Sequence, residues 1–244
     1  MRTSLIFLAA LFLSACGAGQ ADQRVADRPE VGLFTSLPIY WGESDNISAI
    51  IDGSGKPDWV RKLIERRFAM QPLDALEPDT LAGTKRLIMA QPRPLAPSEN
   101  LALDQWVRDG GRLLVFADPM LTRHSNFAIG DKRRQQDVVV LSPILTRWGL
   151  ELFFDDEQAE GERWVKAYDG EFPVNLSGQF RLRSAGEEGE CIVSETGLLA
   201  QCQVGKGRVT LLADAAVLDW EGEGEVPAKR TGALDSLVAA SLDY

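Results

Sequence analysis

Residues 86–119 read RLIMAQPRPLAPSENLALDQWVRDGGRLLVFADP. The runs Arg86–Ala90 and Arg112–Ala117 are strand length and continuously apolar after their first residue, the pattern of strands buried on both faces. Between them, Ser98 is placed to cap a helix whose Leu103, Trp106 and Val107 share one face. Gly110-Gly111 then supplies a left-handed stop. Strand, capped helix, glycine stop and strand form a right-handed βαβ unit, so the two strands are expected to be parallel. Asp118-Pro119 ends the second strand at its carboxyl edge, where open α/β sheets place ligands.

Strands and helices alternate outward from this unit. Upstream, Val31–Thr35 (VGLFT) reads as a strand, and Pro38 keeps the loop Leu37–Gly42 from continuing as a central one. Pro57-Asp58 opens WVRKLIERRF, in which Trp59, Val60, Leu63, Ile64 and Phe68 recur at helical spacing. A strand follows near Met70–Leu73, then a polar turn region at Glu77–Thr84. Downstream, Thr122–Asp137 is polar and basic and reads as an exposed loop at the carboxyl edge. Ser142–Trp148 reads as a short helix and Leu150–Phe154 as a strand. Trp164–Leu212 follows as short alternating strands, with Val209–Ala213 a buried run ending at Asp214, and Ala233–Leu242 reads as a helix. No internal repeat is visible.

The stretch from Leu87 to Leu121 resembles the ABC-type transport-system auxiliary domain of gliding-motility-type exporter components and related bacterial proteins. The resemblance extends more weakly to the strand at Val31, to Ser142–Gly149, and to Gly205–Val209 with Asp214. It implies a class I glutamine amidotransferase-like fold: an α/β, flavodoxin-like, three-layer parallel sheet, here with an antiparallel C-terminal extension. One domain is expected over 30–244, with a β-rich insertion at about 160–205. The matching motifs belong to the fold and name no chemistry. The amidotransferase nucleophile has no counterpart, because no cysteine follows a buried strand at a sharp turn.

Composition limits the partners. The 244 residues carry 26 basic and 36 acidic side chains, a net charge of −10, which disfavours nucleic acid. Arg2 followed by the apolar run Leu5–Leu13 has the form of a secretory signal, and the run is too short for a membrane span. Leu13-Ser14-Ala15-Cys16 resembles the lipobox of bacterial lipoproteins. That resemblance implies removal of residues 1–15, diacylglyceryl and palmitoyl attachment at Cys16, and a tether over 16–29. The same resemblance implies the outer membrane where the organism has one, because Gly17 stands where an inner-membrane retention signal carries Asp. The expected partners are the membrane, through the N-terminal lipid, and ABC transporter subunits or another envelope protein.

Two cysteines remain, Cys191 and Cys202, flanking Thr196-Gly197 in ECIVSETGLLAQC. A hairpin there places Glu195 opposite Leu198 and Cys191 opposite Cys202. A two-residue turn would make the cysteines a hydrogen-bonded pair about 5.5 Å apart at Cα, and a four-residue loop a closer pair at about 4.5 Å. A disulfide is expected in an oxidising compartment, with two buried thiols as the alternative.

Groups able to carry chemistry are sparse. No cofactor or metal motif is present, and Gly205-Lys206-Gly207 has the length of a tight turn rather than of a phosphate loop. Asp118 and Asp214 each end a buried run, and they would share a carboxyl edge if those strands are neighbours. They serve either as a carboxylate pair, with His124 nearby, in a periplasmic hydrolase, or as local turn formers. The reading preferred here is a binding or accessory module that meets its ligand at the carboxyl edge. Thr35, Ser36, Tyr40, Trp41, Asp118, His124 and Asp214 are the candidate contacts, with Tyr40 and Trp41 as aromatic anchors.

Overall fold

A seven-stranded sheet organises the chain, five of its strands parallel and two antiparallel at one end. The structure, a computed structural model, describes residues 28–42, 58–183 and 189–243. The expected signal segment, the lipidation site Cys16 and most of the tether lie outside those residues.

In chain order the elements are β1 (Glu30–Thr35), α1 (Trp59–Ile64), β2 (Ala69–Pro72), α2 (Pro78–Ala82), β3 (Arg86–Ala90), α3 (Pro97–Arg108) and β4 (Arg112–Phe116). Next come α4 (Ser142–Arg147), β5 (Leu150–Phe154), β6 (Arg163–Ala167), β7 (Gly170–Val174), β8 (Gly178–Leu182), β9 (Glu190–Val193), β10 (Leu199–Val204) and β11 (Gly207–Leu212). A 3-10 turn at Ala216–Leu218 leads to α5 (Ala228–Leu242). The sheet order is β2-β1-β3-β4-β11-β10-β9. The strand order of the parallel part thus reverses between β1 and β3, the kind of switch point at which such sheets bind ligands.

The unit that opened the reading forms as expected. Leu87 lies beside Leu113 and Met89 beside Val115 in a parallel ladder, and every residue of β3 is buried. The helix start differs in detail. Ala96 occupies the cap position, Pro97 the first turn, and Glu99 accepts the Ala96 N–H at 2.8 Å, so Ser98 is not the cap. The same carboxylate accepts the Leu76 N–H at 3.1 Å and pairs with Arg93 at 2.8 Å. Arg93 holds its pKa down at about 2 despite partial desolvation. At the helix end Gly110 takes a φ of 119°, and a Cβ on Gly111 would lie 2.5 Å from the Trp106 indole, so both glycines are required.

Three further expectations change. The polar stretch 77–84 contains the one-turn helix α2, started by Pro78 and held by the Thr80 hydroxyl, which accepts the Glu77 N–H. The α1 helix stops at Ile64, short of Phe68, although Phe68 is buried all the same. The β-rich region is not one antiparallel extension. β5 pairs with β8 and β6 with β7 in separate two-stranded sheets, and only β9 and β10 join the main sheet.

Charged hydrogen bonds lock the helices to this frame. Asp104 on α3 accepts from Arg108 at 2.9 Å, Arg147 at 2.6 Å and the Trp148 indole at 2.9 Å, tying α3 to α4. At the amino edge, Arg86 donates to the Leu242 carbonyl at 2.9 Å and Arg112 to that of Asp243 at 2.7 Å, so the first residues of β3 and β4 hold the carboxyl end of α5.

Candidate functional site

The carboxyl ends of the parallel strands divide into a sealed part and an open part. The sealed part centres on Gln91, the residue after β3, which has a φ of 44° and is completely buried. Its Nε2 donates to the carbonyls of Asp118 and Gln136 at 3.0 and 2.9 Å, and its Oε1 accepts the Asp118 N–H at 3.0 Å. The Ser36 hydroxyl donates to the Gln91 carbonyl and accepts the Gln136 N–H at 3.0 Å. Side chains therefore stitch the switch point between β1 and β3 shut. Backbone strain after a buried strand is a device of nucleophile sites. Here the strained position holds an amide whose polar atoms are all engaged.

The two carboxylates belong to this sealed part. Because Phe116 pairs with Leu212, Asp118 and Asp214 follow their strands at matching positions, and they are 1% and 0% exposed. Asp118 accepts the Met120 and Ala215 N–H groups at 2.8 and 3.1 Å. Asp214 accepts those of Ala216 and, at 2.9 Å, Asn175. Burial pushes the Asp118 pKa up to about 6 against its two hydrogen bonds. Burial, and then the neighbouring Asp118 charge, raise Asp214 well above the ordinary range. The cavity touching Asp118 measures about 10 Å³, room for one water and no substrate. Both residues thus form turns at their own strand ends and tie β4, β11 and the β7–β8 turn together. His124 is exposed, its backbone N–H donating to Glu221 at 3.0 Å, and it does not line that cavity.

The open part lies over the ends of β1 and β2. A cleft of about 310 Å³ is lined by Thr35, Ser36, Tyr40, Trp41, Pro72 and Asp74, and is closed by Phe127 and Arg133 from the loop after β4. Thr35 and Ser36 contribute walls rather than free hydroxyls, since Thr35 Oγ1 donates to Ala90 at 2.7 Å and accepts the Leu37 N–H at 2.9 Å. The aromatics are held firmly. Arg61 stacks 4.0 Å above the Tyr40 ring, donates to the Tyr40 carbonyl at 2.8 Å and is braced by Glu65 at 2.8 Å. Trp41 meets Tyr40 edge to face, with centroids 4.7 Å apart and an interplanar angle of 73°, and remains 57% exposed. Arg133 lies 4.3 Å from the Phe127 ring and pairs with Asp131 at 2.7 Å.

Four of the seven candidate contacts (Thr35, Ser36, Tyr40 and Trp41) share this cleft, and Asp118, His124 and Asp214 do not. Asp74, Phe127 and Arg133 escaped the sequence reading because the last two come from a loop without periodicity. Among the described residues, no group of three or more His, Cys, Asp or Glu side chains is placed to hold a metal. No described helix is long and apolar enough to cross a membrane. A second cleft, about 550 Å³, lies at the amino edge between α2 and α3. There the Trp106 indole donates to Thr84 at 2.9 Å and Gln105 to Asp109 at 3.1 Å.

No family model and no curated protein matches the chain. Solved structures do. The chain is similar in fold to part of an exo-β-1,4-mannosidase from Opitutaceae bacterium strain TAV5, with a TM-score of 0.50 and 16% identity over 90% of this chain and 37% of the enzyme. A β-galactosidase from Bacillus circulans sp. alkalophilus gives 0.48 and 12% over 87% of this chain and 31% of that one. A putative ThuA-like protein from Bacteroides uniformis gives 0.40 and 11% over 94% of both chains. The chain spans about a third of the length of these glycosidases, and the likeness concerns the fold alone.

Proposed function

We propose that the chain is a lipid-anchored extracytoplasmic binding or accessory module, associated with an ABC-type transport system or another envelope partner. In this reading the domain is a flavodoxin-like three-layer fold of the ABC auxiliary type. It is held at the membrane by the lipid on Cys16, facing the periplasm, and its ligand enters the cleft at Tyr40 and Trp41. The observation carrying the reading is the contrast between the two halves of the sheet edge. The aromatic half is open, braced and has the size of a small ligand site. The carboxylate half is sealed, which leaves the hydrolase alternative without a place for substrate.

Two measurements test it in cells. Cys16→Ser is expected to shift the protein out of the membrane fraction or leave it unprocessed, and unchanged membrane association with unchanged mature mass overturns the anchor. Trp41→Ala is expected to abolish crosslinking to its envelope partner while costing less than about 1 kcal/mol of stability, because the indole is more than half exposed. Retained capture, or a loss of several kcal/mol, would remove Trp41 from the recognition surface.

A further inference from the structure

The chemistry of the open cleft narrows what it binds. The indole N–H of Trp41 and the hydroxyl of Tyr40 have no hydrogen-bond partner among the described residues, and both belong to side chains that line the cleft. Asp74 is exposed at the β2 side; Arg93 donates to its backbone carbonyl at 2.9 Å and feels the charge of its carboxylate, which itself accepts no hydrogen bond among the described residues. The cationic wall is different, because Arg133 already holds Asp131 and acts as a flat surface stacked on Phe127. The cleft therefore offers two donors on aromatic rings inclined at 73° and one carboxylate. Thr35 and Ser36 spend their hydroxyls within the protein, and most of the remaining lining is apolar: Leu33, Leu37, Pro38, Pro72, Leu73 and Phe127.

Resting on the reading of this site as a binding cleft, we infer that its ligand is an extended, proline-containing peptide segment with a basic residue beside the proline. Each feature of the cleft answers one feature of such a segment. A polyproline II strand makes no internal hydrogen bonds, so its carbonyls are free to accept from Trp41 and Tyr40. Proline presents no N–H, so no ligand donor is stranded against a wall poor in acceptors. A pyrrolidine ring can pack on the exposed indole of Trp41, which Tyr40 braces edge to face, the mode by which aromatic-lined grooves take such strands. The basic neighbour meets Asp74. A proline-rich strand is already extended and Tyr40 is already fixed by Arg61, so little ordering entropy opposes binding on either side.

The test uses the mature lipoprotein in detergent and a capped synthetic peptide of alternating alanine and proline ending in lysine, followed by calorimetry. Saturable one-to-one binding is expected. It should weaken by about tenfold or more in Trp41→Ala and fall severalfold in Asp74→Asn or when glutamate replaces the peptide lysine. Leu101→Ala, at an exposed position on α3 away from the cleft, is expected to bind as wild type. Equal binding of a peptide with every proline replaced by alanine overturns the inference, as does no binding of the proline peptide. If Trp41-dependent capture in cells persists when the peptide does not bind, the binding-module reading stands and only the ligand class falls. If capture is lost to neither Trp41→Ala nor Asp74→Asn, both fall.

Discussion

Gln91 shows how one residue decides what a sheet edge does. A side chain in left-handed backbone costs roughly 1–3 kcal/mol, and the cost is offset here by three hydrogen bonds reaching Asp118 and Gln136. Gln91→Ala keeps the strain and leaves the Asp118 N–H and two carbonyls without their buried partner. It should destabilise the protein by about 2–4 kcal/mol in urea unfolding. A loss below about 1 kcal/mol would mean that water or a shifted backbone replaces the amide. Nothing around Gln91 in the sequence announces this role, because the partners come from segments 27 and 45 residues away. Asp118 and Asp214 were legible as residues that end buried strands. Their inaccessibility was not, since it depends on how the loop after β4 and the β7–β8 turn close over them.

At the scale of elements, legibility followed locality. The βαβ unit was readable because glycine stop, helix face and buried strands all fall within about 35 consecutive residues. The pairing of β5 with β8 was not, since it spans an intervening hairpin and depends on long-range packing. The β9–β10 hairpin lies between these cases. Its register was readable from the cysteines, and Cys191 does face Cys202. The connection, however, is a four-residue loop closed by the Ser194 N–H donating to Leu199 at 2.8 Å, not a two-residue turn. The cysteines therefore form the closer, non-hydrogen-bonded pair, 4.0 Å apart at Cα and joined by a disulfide. β9 is an edge strand with no fully buried residue, and Ile192 is 58% exposed, so packing alone holds it weakly. Replacing both cysteines by serine should cost about 3 kcal/mol by the loop-closure estimate for a separation of 11. Amide exchange should quicken in β9 first and leave β3 and β4 protected. Uniform exchange across the sheet would show that the bond stabilises the whole fold rather than its edge.

The whole molecule combines opposing buried acids, and their balance sets its stability against pH. Asp118 has a folded pKa of about 6 against an ordinary 3.8, so between those values the folded state keeps a proton that the unfolded chain releases. Lowering the pH from 7 through 6 toward 4 therefore favours folding, and Asp214, raised by the same burial and by Asp118, acts in the same direction. Asp58 and Asp219, raised chiefly by burial, add to it. Glu99 runs the other way. Its folded pKa of about 2 against 4.5 means that the Arg93 pair stabilises fully above 4.5 and is lost as the pH falls toward 2. Asp104, lowered against its burial by its bonds from Arg108, the Trp148 indole and Arg147, and Asp235, lowered chiefly by Arg67, lose their contribution on the same side. The melting temperature is accordingly expected to rise from pH 7 to a maximum near pH 4–5 and then fall steeply. Glu99→Gln should soften the acid limb without moving the limb above pH 5. A melting temperature that declines steadily from pH 7 to pH 5 would mean that the carboxylates at the sheet edge are ionised in the native state. Solvent would then have to reach them, and the division of that edge into a sealed half and an open half would fail with it.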